Sequence, residues 1–322
     1  MRAMQVTGYG QPLEMAEIVQ PEPSAGEVRI RVDSAGVNFA DLLLASGHYQ
    51  ERPDLPFSPG MEVCGRIDRI NAGGGLQVGQ KVAGFAGYGG MAEYCCIPAS
   101  NCIPVPDRMP AVEAAGFLVA YGTAHVALHH RARLQEGERL LVLGAAGGTG
   151  LCAVEIGKMM GAEVIAAARG RSRLDSTIRA GADHVIDTGR DDIRQRVKAL
   201  GGADVIFDPV GGEQFKAALR SANPEARLLP IGFASGDVPQ IPANILLVKN
   251  LTVIGFYWGG YRSFRPDIIV DSARALVEWH AAGRLKPTIS LVVPLESAND
   301  ALDLLRNRQA TGKVVVKVAD VG

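Results

Sequence analysis

The chain has 322 residues, 47% hydrophobic and 21% charged, with 33 Lys and Arg against 34 Asp and Glu and a mean hydropathy of +0.10. That length accommodates two domains, and a net charge of −1 leaves no electrostatic footprint for nucleic acid or an anionic membrane. No apolar stretch approaches the roughly 20 residues that span a bilayer, and the start carries neither a signal core nor an arginine-rich presequence, so a soluble cytoplasmic protein is expected.

Residues 1–7 read as a first strand, and 24–37 and 59–70 as short alternating strands among many Gly and Pro residues. Pro56, Pro59, Pro104, Pro106 and Pro110 contribute to that texture, which predicts an irregular, mostly antiparallel β domain. The five cysteines (64, 95, 96, 102, 152) are odd in number and lack a C-x-x-C spacing. They read as buried thiols, not a disulfide framework, with alternation along 91–97 turning one of Cys95 and Cys96 inward and the other outward. A helical segment, 123–133, places His129 and His130 among arginines, a solvated face and not a metal pair.

The strand 140–143 then runs into glycines at 144, 147, 148 and 150, and a helix follows with Leu151, Ala153, Val154 and Ile156 on its apolar face. Glycine lets a diphosphate approach the backbone, and the helix start supplies N–H groups and a favourable dipole. The spacing Gly-x-x-Gly-Gly-x-Gly departs from G-x-G-x-x-G, so context must carry the reading. Ala146, Gly147, Gly148, Thr149 and Gly150 become candidate cofactor contacts. The next strand, 163–167, ends in Ala168-Arg-Gly-Arg-Ser-Arg173, about 20 residues on, where NAD-binding folds place an acid. No acid stands there. Arg169, Ser172 and Arg173, with Arg171 among them, suit a 2′-phosphate, and the expected cofactor is NADP(H). The competing reading is a solvated basic start to the next helix.

Strands at 182–187, 203–210, 227–232 and 251–256 alternate with helices at 191–200 and 213–221. Short apolar runs between amphipathic segments predict a doubly wound parallel α/β sheet, with the ligand at the carboxyl ends of its strands. Asp208 to Gly212 and Gly232 to Gly236 are then expected to line the crevice, with Gly232, Phe233 and Ala234 as cofactor contacts, unless they are ordinary turns. The last strand, 251–256, is apolar throughout and predicts a homodimer that closes an exposed sheet edge. A helix at 266–282, a strand at 288–293, a helix at 297–308 and a final strand at 313–318 complete the chain. That last strand needs a partner, and the N-terminal β domain is the economical one. No G-x-S-x-G elbow or P-loop is present, which removes the main supports for a hydrolase or an ATPase.

Six segments together resemble the medium-chain dehydrogenase/reductases, and within them the NADPH:quinone oxidoreductase (zeta-crystallin) branch. They are Gly36 to Asp41, Ser46 to Tyr49, Pro56 to Glu62, Tyr121 to Ala124, Ala145 to Gly150 and Thr311 to Lys313. The resemblance spans essentially the whole chain. It implies a GroES-like β-rich catalytic domain at 1–121 and 261–322, and a Rossmann NADP-binding domain at 122–260. It further implies that Asn38, Asp41 and Tyr49 line the substrate cleft, that Thr123 contacts the nicotinamide region, and that Lys313 joins the cofactor site. Zinc-dependent relatives carry Cys where Asn38 stands and His where Met61 stands, and a four-cysteine lobe is missing here. Catalytic zinc wants thiolate and imidazole ligands, so the resemblance implies a zinc-free reductase. Its substrate is then an acceptor already electron-poor, a quinone or an enone.

Departures and alternatives stay open at this level. Leu43 and Ala45 stand where quinone reductases often have Tyr and Arg, which makes the pocket more apolar. Thr188 replaces a Tyr that stacks near the adenosine in some relatives, and is left outside the cofactor site. Asn38 and Asp41 are also suited to bracing their loop, and Tyr49 to packing. Two rival functions remain. One is an enoyl-thioester or alkenal reductase, in which a Tyr eleven residues after the motif Asn, as Tyr49 follows Asn38, protonates the substrate. The other is a nucleotide-binding protein of the lens-crystallin kind with little turnover.

Overall fold

A computed structural model describes residues 1–319. The first half of the chain forms β1 (Arg2–Gln5), β2 (Glu14–Glu17), β3 (Glu27–Val37), α1 (Phe39–Ala45), β4 (Glu62–Asn71), β5 (Lys81–Phe85), β6 (Tyr94–Pro98), β7 (Cys102–Pro104), α2 (Ala111–Ala115) and α3 (Leu118–His125). An alternating stretch follows: β8 (Arg139–Val142), α4 (Gly148–Met159), β9 (Glu163–Ala168), α5 (Arg171–Arg179), β10 (His184–Asp187), α6 (Ile193–Ala199), β11 (Ala203–Asp208), α7 (Gly212–Ser221), β12 (Ala222–Pro230), α8 (Ala243–Lys249) and β13 (Thr252–Val253). The chain continues through α9 (Tyr261–Phe264), α10 (Pro266–Ala281), β14 (Ile289–Pro294), α11 (Ala298–Arg306) and β15 (Lys313–Lys317).

Two compact units result: Met1–Val119 with the chain from Ala273 onward, and Ala120–Ser272. The second boundary thus falls inside α10, whereas the sequence reading puts it at 260/261. A continuous amphipathic helix carries no change of composition to mark such a border.

In the β-rich unit, seven strands form one sheet in the order β14-β15-β3-β4-β5-β7, with β6 also paired to β3. The eleven-residue β3 anchors it. One edge of β3 takes β4 along its length; the other takes β6 opposite Glu27 to Arg31 and β15 opposite Ser34 to Val37, all antiparallel. The final strand therefore pairs within the N-terminal β domain, as the sequence reading expects. Cys95 is buried on β6 and Cys96 half-buried beside it, in the alternation expected. Burial pushes the Cys64 and Cys102 thiols up to about 12, which leaves them protonated and inert.

The α/β unit carries a six-stranded, wholly parallel sheet in the order β10-β9-β8-β11-β12-β13. Its direction of growth reverses between β8 and β11, where Leu140, Leu141 and Val142 face Val205, Ile206 and Phe207. Leu141, Ile165, Ile206 and Leu228 are fully buried under Phe215 of α7. Crevices at such a reversal open outside the carboxyl ends of the strands.

Three expected elements change length for local reasons. The strand expected over 203–210 stops at Asp208, because Pro209 has no N–H for the ladder. The run 251–256 pairs only through Thr252 and Val253, and after the Ile254 amide reaches Leu228 O the chain leaves the sheet at Gly255. The helix expected to begin at 123 begins at Leu118 and passes into a π-helical turn, Val126–Arg131, with His129 and His130 exposed. Among the described residues, no helix is long and apolar enough to cross a membrane.

Candidate functional site

The α/β unit gathers five expected contacts at the switch between β8 and β11. Gly147 caps α4, whose first intrahelical bond runs from Leu151 N to Gly147 O at 2.8 Å. The amides of Gly148, Thr149 and Gly150 precede that bond, so they lead out of the positive end of a twelve-residue helix. The glycines are not equivalent. A Cβ on Gly150 would stand 2.3 Å from Gly144 O, so Gly150 is required by the loop's own backbone, and Gly144 itself has a φ of +56°. A Cβ on Gly147 would meet its nearest atom at 3.3 Å, which leaves the fold less reason to demand glycine there. Such a cradle fits a dinucleotide diphosphate.

Ala146 of this loop packs with Ala168 and Leu174, which ties the cradle to the turn after β9. On that turn Arg169 and Ser172 are exposed and Arg173 is half-buried. Arg171 points along its own helix to Asp175 at 2.9 Å with its side chain 87% exposed. The arginine cluster thus divides into one helix-surface pair and two other cations. An acid that the sequence reading misses, Asp187 at the end of β10, reaches the same turn and accepts from Gly170 N at 3.0 Å. It is invisible in one dimension because it belongs to the neighbouring strand.

The loops after β11 and β12 are joined at a buried aspartate. Asp208 is fully buried at the end of β11 and accepts from Val210 N at 2.7 Å and Gly211 N at 2.9 Å. Burial pushes its carboxyl up to about 6 against those two bonds. Its carbonyl receives the Ile231 amide at 2.7 Å and that of Gly232 at 3.3 Å, while Pro209 O receives the Ala234 amide at 3.1 Å. The loops 208–212 and 231–237 are thereby laced together, which brings Gly232, Phe233 and Ala234 to the carboxyl end of β12. Phe233 is 41% exposed there. Thr123 lies buried in α3, whose Tyr121 hydroxyl donates to Glu155 of α4 at 2.5 Å. Glu155 is a second residue that the sequence reading misses.

In the β-rich unit the motif residues converge on a buried charge cluster. Asp41 has no exposed surface and accepts from Asn38 N at 2.8 Å and Gly60 N at 3.0 Å. Burial pushes its carboxyl up to about 6. With both oxygens used by backbone amides, Asp41 clamps α1 to the 59–62 loop, the bracing role that stood as the alternative to lining a substrate cleft. Lys313 is engaged likewise. Its ammonium donates to Val37 O at 3.1 Å, Asn38 Oδ1 at 2.8 Å and Glu62 Oε1 at 2.8 Å, which uses all three of its hydrogens inside this unit. Asn38 Nδ2 donates back to Glu62 Oε1 at 3.0 Å, so the amide is held at both ends. Glu62 Oε2 accepts from Val119 N at 2.9 Å. Tyr49 is half-buried in the loop beyond α1.

Zinc does not fit this donor set. An amide already bound at both ends, the buried thioether of Met61 and a resident ammonium offer neither thiolate nor imidazole, and the ammonium opposes a dication. Glu62 escapes the sequence reading as a site residue. The available signal is a charged residue directly before an apolar run, Glu62 before Val63 and Cys64, as Lys313 stands before Val314 to Val316 on β15.

Residues 24–107 match the family described as Alcohol dehydrogenase GroES-like domain, and residues 148–271 that described as Zinc-binding dehydrogenase. The Quinone oxidoreductase-like protein 2 homolog of Nematostella vectensis is 39% identical over 323 residues, which covers 98% of this chain and 88% of that protein. A mycobacterial structure complexed with NADPH superposes with a TM-score of 0.92 at 30% identity, covering 99% of this chain and 100% of its own. The quinone oxidoreductase of Thermus thermophilus, also solved as an NADPH complex, gives 0.87 at 33% identity over 99% and 100%.

Proposed function

The chain belongs to the quinone oxidoreductase-like family of the medium-chain dehydrogenase/reductases, and on that premise we propose that it reduces quinones or related electron-poor carbonyl acceptors at the expense of NADPH. Bound NADPH supplies the hydride. The Gly148 to Gly150 amides hold its diphosphate, Arg169, Ser172 and Arg173 its 2′-phosphate, and Thr123 the nicotinamide end. The loops braced by Asp208, with Gly232, Phe233 and Ala234, form the crevice wall.

The observation that carries the acceptor class is the Lys313 ammonium held by Asn38 and Glu62. It occupies the cluster where zinc-dependent relatives assemble ligands, so no Lewis acid assists an alcohol in losing its proton. A quinone needs no such help, because it is electrophilic beforehand and its reduced oxygen takes a proton from water. Asn38, fixed in one orientation, is left to shape the acceptor's surroundings. We also propose a homodimer through the edge strand β13, beside which α8 leaves Leu247 and Val248 more than 75% exposed.

Steady-state oxidation of NADPH and NADH against 1,4-benzoquinone, 9,10-phenanthrenequinone, crotonyl-CoA and an alkenal tests the reading. Quinone turnover with NADPH preferred is the expected result. Preference for crotonyl-CoA identifies an enoyl reductase, and tight NADPH binding without turnover a binding protein. Sedimentation of a stable monomer at micromolar concentration removes the dimer.

A further inference from the structure

One carboxylate oxygen holds two turns of the α/β unit together. Asp187 Oδ1 accepts from Gly170 N at 3.0 Å, in the turn after β9, and from Gly189 N at 3.0 Å, in the turn after its own strand. The residue is held from behind as well: its amide donates to Asp191 Oδ2 at 3.0 Å, and its carbonyl accepts from Asp191 N at 2.7 Å. Gly170 has φ +86° and ψ 152°, a conformation open in practice only to glycine, and it caps α5. Anchoring its amide therefore fixes the Arg169–Gly170 peptide and the direction in which Arg169 leaves the backbone. The Arg169 stem lies over the second turn, 3.4 Å from where a Cβ on Gly189 would stand. Arg190 Nε, 3.9 Å from Asp187 Oδ2, is the other cation facing the carboxylate. The two backbone bonds, helped by Arg190 and Arg169, hold the Asp187 carboxyl below the usual range, so it is ionised at neutral pH.

An acid beside a phosphate site is costly unless it performs another task. Asp187 ends β10, well beyond the position about 20 residues past the glycines where a NAD-binding fold places its ribose acid, and its inner oxygen is taken up by two amides. We propose that Asp187 is the positioning residue of the 2′-phosphate site: it sets the preference for a phosphorylated ribose by fixing the turn that carries Arg169, Ser172 and Arg173, and it does not touch the ligand. This inference rests on the proposed binding of NADPH.

The test compares 2′,5′-ADP and 5′-AMP by titration calorimetry on the full chain, as wild type, Asp187→Asn and Asp187→Ala. Asparagine keeps an oxygen that accepts from both amides and loses only the charge, so its preference for 2′,5′-ADP should match or exceed the wild type's. Alanine loses the clamp. It should weaken 2′,5′-ADP about tenfold, on the order of one good hydrogen bond to a charged group, and 5′-AMP much less. Equal weakening of both ligands by alanine, or no change in either, overturns the proposal. So does loss of preference in Asp187→Asn, which alone decides the matter if the alanine variant does not fold. A wild type that binds both ligands equally removes the NADPH reading itself, before any variant is compared.

Discussion

Lys313 and Glu62 meet at 2.8 Å although 251 residues of chain separate them, with side chains only 5% and 1% exposed. Two charges so deeply placed are costly to desolvate, and each is tolerable only while the other is present. Lys313→Met should therefore cost about 3–5 kcal/mol of unfolding free energy, since it strands the Glu62 carboxylate. Adding Glu62→Gln should recover a large part, because the amide still accepts from Val119 N without a buried charge. Urea titrations of both variants measure this, and a double variant no more stable than the single one would refute it.

Asp208 makes a prediction about pH. Its carboxyl stands at about 6 in the folded chain and near 3.9 when unfolded. The folded state holds this proton more tightly, so the group favours folding below the unfolded value, and that contribution is lost as pH rises through about 6. Asp208→Asn removes the titration and keeps an acceptor for Val210 N. Relative to wild type it should gain up to about 3 kcal/mol between pH 4 and pH 7. Unfolding midpoints at the two pH values that shift in parallel would exclude this account.

The glycines of the β8–α4 loop should separate under substitution. Gly150→Ala drives a methyl into Gly144 O at 2.3 Å and should lower stability by about 3 kcal/mol or more, at the upper end of overpacking. Gly147→Ala, with 3.3 Å available, should leave the thermal midpoint within a few degrees while weakening NADPH binding. Melting curves with and without NADPH distinguish the two; equal destabilisation of the apoprotein would mean that both glycines serve the fold alone.

Tyr49 divides carbonyl from carbon–carbon reduction. Protonation on carbon by a positioned acid typically contributes 10²–10⁴-fold, whereas a reduced quinone oxygen is protonated by solvent. Tyr49→Phe should retain most quinone turnover, with any loss in KM. A drop of about 10²-fold in kcat, together with wild-type preference for an enoyl substrate, would assign the protein to the other branch.

Much of the fold is readable because its signals are local. The run from Leu140 to Gly150 announces strand, turn and helix within eleven residues, and the parallel strands show as short apolar runs. Polar pairing is not local. Nothing along the chain says that Lys313 will find Asn38 and Glu62, or that Asp187 will answer the amide of Gly170, since hydrophobic period reports burial and not through-space partners. Asp41 and Lys313 are expected at ligand contacts from the family resemblance alone, and the backbone amides and side chains that hold them in the fold are not announced by any stretch of sequence. The run 251–256 misleads in another way: six residues without a charge resemble a strand, but Gly255 lets the chain leave the sheet after two paired residues.

The position of β15 between β14 and β3 has a consequence for synthesis on the ribosome. The α/β unit is one uninterrupted stretch, so its sheet can close as soon as Val253 has left the exit tunnel. The other unit emerges in two instalments. Until residues 313–317 arrive, the Ser34 to Val37 stretch of β3 has an open margin, and Glu62 waits without its ammonium. A nascent chain in that interval displays an open strand margin and a carboxylate without its ammonium, the kind of surface that holdase chaperones engage. A premature stop codon before Lys313 would make the interval permanent, and quality control would meet a half-finished sheet beside a completed one.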